Sequence, residues 1–203
     1  NDFVELFNRG TAAVAVDGWT IQYASAAGTT WQATTLAGSI PSGGYYLVQL
    51  ASAAAVGSPL PAPDASGTTN MANSGGKVAL VRDGTALACG AAAGSCSGIA
   101  QIADLIGWGS AADFEGTGAA AALGNTTANA RAGNGCTDTD DNAADFTALV
   151  PGPRNAASPA ASCGSQPPPA GSVSQSAAVE LDIQPVLSIA LERRDISGSS
   201  LPR

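Results

Sequence analysis

The sequence contains no histidine, and only 12% of its 203 residues are charged. The first absence removes Ser-His-Asp triads, His-based zinc sites and imidazole general bases. Acidic residues outnumber basic ones 16 to 8, a net charge of −8, so the chain carries no electrostatic footprint for nucleic acid or an anionic membrane. No apolar run approaches the roughly 18 residues that a membrane-spanning helix needs. Large apolar side chains are scarce as well: 43 residues of the 45% hydrophobic fraction are alanine, and the expected core is thin. The start of the chain also lacks a basic n-region and an apolar h-region, which fits a processed product if the protein is secreted.

What is present begins with four cysteines. Cys89, Cys96, Cys136 and Cys163 form an even set, and their spacings do not match the C-x2-4-C pairs of a zinc site. The spacing favours Cys89 with Cys96 and Cys136 with Cys163. Loops of about 8 and 28 residues give chain-entropy contributions of roughly 2.5 and 3.6 kcal/mol, a useful supplement to a thin core. Paired cysteines place the chain in an oxidising compartment, extracellular or at the cell surface.

Along residues 1–157, short apolar or alternating runs are separated by Gly, Asn, Asp, Ser and Pro, the pattern of an antiparallel β-sandwich. Phe3 to Phe7 reads as a strand ending at the turn Asn8-Arg9-Gly10. Trp19, Ile21 and Tyr23 share one face of a second, with Thr20 and Gln22 on the other. Tyr45 to Leu50 has large residues on both faces and is expected to be central. Lys77 to Arg82 follows the turn Gly75-Gly76 and is closed by Asp83-Gly84, a hairpin signal. Ile102 to Trp108 is a further strand. The Ala-rich stretches 51–56 and 119–123 are each long enough for one or two helical turns.

Residues 1–163 are thus assigned to the sandwich, 164–176 to a linker containing Pro167-Pro168-Pro169, and 177–203 to a C-terminal strand segment and tail. In that last segment Val179, Leu181 and Ile183 alternate with polar residues, and Leu187, Ile189 and Leu191 repeat the pattern beyond Pro185. Burying these six side chains is worth at most roughly 9 to 18 kcal/mol, about what ordering the backbone costs. The strand therefore needs a sheet to join: its own, a neighbouring copy's, or that of a following domain.

The motifs Asp2-Phe3-Val4-Glu5-Leu6-Phe7-Asn8-Arg9-Gly10, Val16-Asp17-Gly18-Trp19, Asp138-Thr139-Asp140-Asp141-Asn142-Ala143-Ala144-Asp145-Phe146 and Pro151-Gly152-Pro153-Arg154-Asn155 occur in this order. Together they resemble the bacterial lamin-tail domain, over residues 1 to about 158. The resemblance implies an all-β, immunoglobulin-like antiparallel β-sandwich, used as a non-catalytic module of secreted bacterial proteins, often beside an extracellular endonuclease/phosphatase domain. Members of that family usually carry another strand ahead of the Phe-Val-Glu-Leu-type strand, whereas this chain begins at Asn1, so an unpaired sheet edge is expected.

Candidate chemistry is sparse. Asp138, Asp140, Asp141, Asn142 and Asp145 place five oxygen-bearing side chains within eight residues, and Ca²⁺ takes six to eight oxygens. The EF-hand glycine and bidentate glutamate are missing, and an Asx-rich turn is the other interpretation. Asp113, Glu115 and Glu5 are carboxylates that glycoside hydrolysis would need as a spatial pair. Trp19, Trp31, Tyr45, Tyr46 and Trp108 are either core or a carbohydrate platform. Asn125-Thr126-Thr127 is an N-glycosylation sequon. The function expected is a non-catalytic extracellular structural or interaction module. Its partners are other copies of itself or a following domain, joined through the C-terminal strand, with a filament as one form of assembly; it has no nucleic-acid binding of its own and no membrane span. The alternative is an accessory targeting or adhesion domain of a secreted hydrolase, such as an extracellular endonuclease.

Overall fold

The computed structural model describes residues 1–51 and 58–164, and these are nearly all β. In chain order the strands are β1 (Phe3–Phe7), β2 (Val14–Ala15), β3 (Thr20–Ser25), β4 (Gln32–Thr35), β5 (Ser39–Ile40), β6 (Tyr45–Gln49), β7 (Ala65–Ser66), β8 (Gly75–Val81), β9 (Ile102–Gly109), β10 (Ala128–Arg131) and β11 (Phe146–Leu149). One helical turn, α1 (Asn142–Asp145), precedes β11. A four-stranded antiparallel sheet has the order β4-β3-β8-β9 and a three-stranded sheet the order β1-β6-β7, with β2-β5 and β10-β11 as two-stranded ribbons.

Period-two alternation explains the packing. Val4 and Leu6 of β1 and Tyr46 and Val48 of β6 meet Ile21 and Tyr23 of β3, Val78 and Leu80 of β8, and Ile106 and Trp108 of β9 in one apolar cluster. The two larger sheets therefore face each other as a sandwich, as the alternation predicts. Close packing also explains Gly76, where an added Cβ would lie 2.8 Å from the rings of both Trp108 and Tyr23. Gly75 and Gly76 are thus part of β8 itself rather than a turn before it.

The outer face of the four-stranded sheet is covered as well. Ala24, Ala79, Val81 and Leu105 pack there with Trp31 and Cys96 in a second cluster. Their cover is the loop 82–101 between β8 and β9, so Asp83-Gly84 does not close a two-residue hairpin. Asp83 instead accepts from the Thr85 N–H, starting a longer path over the sheet. Thr20 and Gln22 anchor that path: the Thr20 hydroxyl donates to the Asp83 carbonyl, Gln22 Nε2 donates to the Thr85 carbonyl, and Gln22 Oε1 accepts from the Leu87 N–H. Both residues are consequently buried.

Both expected disulfides are present, Cys89–Cys96 and Cys136–Cys163. The first staples the covering loop. The second holds the segment after β11, which returns to β1 and β6: the Ala161 N–H donates to the Gly43 carbonyl. Residues 119–123 are not helical. The Ala120 N–H donates to the Gly107 carbonyl and its carbonyl accepts from the Gly109 N–H, so pairing with β9 overrides the weak helical preference of a short alanine run. Of 51–56 only Ala51 is described. The linker beyond Gly164 and the strand candidates Val179, Leu181, Ile183, Leu187, Ile189 and Leu191 lie outside the described residues.

Candidate functional site: the β1 edge and its groove

Among the described residues β1 is hydrogen-bonded to a neighbouring strand on one side only, by β6, and all five of its residues are buried. Asp2 and Asn8 exchange backbone bonds with the β6 side. By the antiparallel alternation, Phe3, Glu5 and Phe7 turn their N–H and C=O groups to the other side. A groove of about 480 Å³ lies beside this strand. Phe3 and Glu5 line it from β1, Ala128 and Ala130 from β10, and Thr147 and Leu149 from β11, with residues 150–154 along its margin. The alanines matter here, because side chains of one carbon leave the floor open. Leu149 is 45% and Val150 80% exposed, and they are the only large apolar side chains exposed among the described residues. Both line the groove.

One margin is built by an ion pair. Glu5, on the edge strand, accepts from the Arg154 guanidinium at 2.7 Å and from the Arg154 backbone N–H at 2.6 Å. Arg154 also donates to the Tyr45 hydroxyl at 2.8 Å and lies 4.0 Å from that ring's centroid. Phe7 stacks on the same ring at 4.9 Å. A carboxylate on a strand edge thereby clamps the returning segment to the sheet. Sequence reasoning placed Glu5 and Arg154 in separate motifs without joining them.

The acidic turn is organised around a cation that sequence reasoning missed. The Arg131 side chain is fully buried, with Nη2 donating to both Asp104 oxygens at 2.9 and 3.0 Å and Nη1 to Asp138 at 2.7 Å and Asp145 at 3.1 Å. Asp145 also accepts from the Thr139 N–H and hydroxyl. Asp141 caps α1 through the Ala143 N–H and accepts from the Thr117 hydroxyl. Asn142 Oδ1 accepts from the Gly107 and Glu115 N–H groups, while Nδ2 donates to the Leu105 carbonyl and Glu115 Oε2. Asp140 sits in the left-handed region at φ 55°. Four of the five residues considered for Ca²⁺, Asp138, Asp141, Asn142 and Asp145, are therefore directed at Arg131, at β9, at Glu115 and Thr117, and at the turn's own donors. Among the described residues no group of three or more acidic or cysteine side chains has the arrangement of a metal site.

The same crowding perturbs two carboxyls. Burial, opposed by Arg131 and reinforced by Asp138, pushes Asp104 up to about 6. Burial and then the Asp104 charge push Glu115 up to about 8. Glu115 and Asp140 line a second groove, of about 510 Å³, against the disulfide loop.

The remaining candidates have structural work. Asp113 is buried and accepts from the Gly94, Cys96 and Phe114 N–H groups and the Ser95 hydroxyl. Trp31, Tyr45, Tyr46 and Trp108 are buried and Trp19 partly so, which corrects the carbohydrate-platform alternative. Asn125 Oδ1 accepts from Asn73. Lys77, also missed, is fully buried and donates to the carbonyls of Ser25, Ala26, Gly28 and Gly90 at 2.8 to 3.0 Å. Burial lowers its pKa, partly offset by Asp113.

No family model, curated protein or solved structure matches this chain. The groove and the strand beside it must therefore be interpreted from their own chemistry.

Proposed function

We propose that the chain is a non-catalytic extracellular structural and interaction module of lamin-tail type, which binds an extended segment by strand addition at β1. Its partner is another copy of the chain, whose alternating C-terminal segment supplies the strand; repeated head-to-tail contacts of this kind build a filament. The observation that carries the proposal is the coincidence, among the described residues, of a strand paired on one side with a groove that holds their only exposed large apolar side chains. Phe3, Glu5 and Phe7 are buried, so strand addition requires the cover over β1 to part; main-chain bonding then supplies affinity without chemistry, and the groove selects apolar side chains at alternate positions. Two disulfides support an extracellular setting.

Light scattering and negative-stain imaging of the full chain across a concentration series test the proposal, with deletion of residues 177–203 as the control. Concentration-dependent chains that the deletion abolishes are expected. A monodisperse monomer at every concentration, unchanged by the deletion, would overturn it.

A further inference from the structure

We propose that the groove between the disulfide loop and the acidic turn is a docking site for an arginine side chain presented by a partner protein, with Glu115 as its principal anion and Asp140 as the second. This groove shares no lining residue with the one beside β1, so the two surfaces stand independently.

Two separate loops bring the carboxylates together. Asn142, fully buried, holds the backbone and the side chain of Glu115: its Oδ1 accepts from the Glu115 N–H, its own N–H donates to the Glu115 carbonyl, and its Nδ2 donates to Glu115 Oε2 at 3.2 Å. Gly116, at φ +74°, lets the loop lie against the turn, where an added Cβ would come 2.5 Å from the Asp141 Cα. The Thr117 hydroxyl then donates to the Asp141 carboxylate. Residues 114–117 are thereby fastened to the acidic turn, and Glu115 and Asp140 line one cavity of about 510 Å³, within the roughly 300–1,000 Å³ range of ligand pockets.

Charge complementarity names the occupant. Arg131 directs its donors at Asp104, Asp138 and Asp145, and Arg9 also reaches Asp138. Among the described residues no Lys or Arg is ion-paired with Glu115 or Asp140. The charged groups felt by Glu115 are Asp104 of β9, Arg131 of β10 and Asp138 and Asp140 of the turn, three acids against one base. The disulfide-loop wall, residues 93–99, brings no charge at all. Asn142 is a neutral amide and leaves the Glu115 anion uncompensated. The rest of the lining sets the shape, with Ile99, Ile102 and Phe114 partly exposed and Leu105 buried behind them. An aliphatic stem ending in a cation matches an apolar wall beside two carboxylates. A guanidinium suits it better than an ammonium, because it is weakly hydrated, packs on aromatic rings and carries enough N–H donors to serve both acids. A hard metal ion would demand more oxygens and leave the apolar wall unused.

Calorimetric titration of the full disulfide-bonded chain with an acetylated, amidated Gly-Arg-Gly peptide tests the site, with the citrulline peptide, spermidine and calcium chloride as the other arms. Burial and then the Asp104 charge raise Glu115 to about 8, so at pH 7 it is about nine-tenths protonated and an arriving cation expels close to one proton. The arginine peptide should bind with that release, read from the dependence of the heat on the buffer's ionisation enthalpy, and its affinity should rise roughly twentyfold from pH 6.5 to 8.5. Glu115→Gln should weaken binding at pH 8.5 at least about tenfold and remove both the release and the pH dependence. Asp140→Asn, a residue that tolerates the left-handed backbone there, should weaken binding by a smaller factor and keep both. No saturable heat with the arginine peptide, equal binding of the citrulline peptide, or proton release that persists in Glu115→Gln would overturn the site. Spermidine or calcium binding more tightly than the peptide would overturn the arginine partner.

Discussion

Replacing Arg131 by methionine keeps the length of the side chain and removes its charge. The guanidinium is fully buried against Asp104, Asp138 and Asp145 and lies 4.5 Å from the Phe146 ring centroid. The substitution leaves Asp145 fully buried and Asp104 and Asp138 nearly so, with 4% and 10% side-chain exposure. Removing one partner of a buried ion pair costs about 3–5 kcal/mol, because the other charge stays desolvated. That is a large part of an ordinary total of about 5–15 kcal/mol. Urea unfolding of the disulfide-bonded chain, followed by tryptophan fluorescence, should show a midpoint lower by about 2 M at a slope near 2 kcal/mol/M. The loss should shrink as pH falls, since protonation removes the orphaned charges. Adding Asp104→Asn to Arg131→Met should recover part of it, the two residues being directly coupled. A loss under about 1 kcal/mol at neutral pH, with no dependence on pH, would show that the carboxylates are solvated and refute the role given to Arg131.

Other expectations concern the remaining buried charges and staples. Glu115 is raised from 4.5 to about 8 and Asp104 from 3.8 to about 6, so both bind protons more tightly in the folded chain. Their contribution is fully present below the unfolded values and is lost as pH rises through the folded ones; Glu115→Gln should flatten the fall in stability up to about pH 8, measured by denaturation at a series of pH values. Lys77→Met leaves the carbonyls of Ser25, Ala26, Gly28 and Gly90 without their donor; a loss of about 3 kcal/mol and faster reduction of Cys89–Cys96, followed by thiol trapping, are expected. Cys136→Ser with Cys163→Ser should cost up to roughly 3.6 kcal/mol and raise hydrogen exchange in residues 154–163. Calcium should leave the unfolding temperature unchanged, since the side chains of Asp138, Asp141, Asn142 and Asp145 already bond protein donors.

Much of the fold was legible because alternation is a local property. Val4 and Leu6, Ile21 and Tyr23, and Ile106 and Trp108 each reveal an inner face from spacing two apart. The cysteine pairing was legible for a similar reason, each pair being close in sequence. Burial of polar groups was not. Thr20 and Gln22 were placed on the face of the strand opposite Ile21 and Tyr23, and nothing local shows that the loop 82–101 lies over them. Lys77 looked like an ordinary strand residue, because none of the carbonyls around it belongs to its own strand. The acidic turn was read without the guanidinium of Arg131, which meets two of its carboxylates, Asp138 and Asp145, from a strand seven and fourteen residues earlier.

Composition and spacing by themselves determined that this chain is all-β, stapled by two disulfides, poor in core material and without histidine chemistry. Those conclusions depend on residue type and on neighbours within a few positions. Tertiary structure alone decided which carboxylates meet which cations, since Glu5 and Arg154 stand 149 residues apart and Arg131 and Asp104 stand 27 apart. It also decided where the groove lies. A strand edge is defined by which neighbour is present on each side, a fact of sheet order that no single strand records.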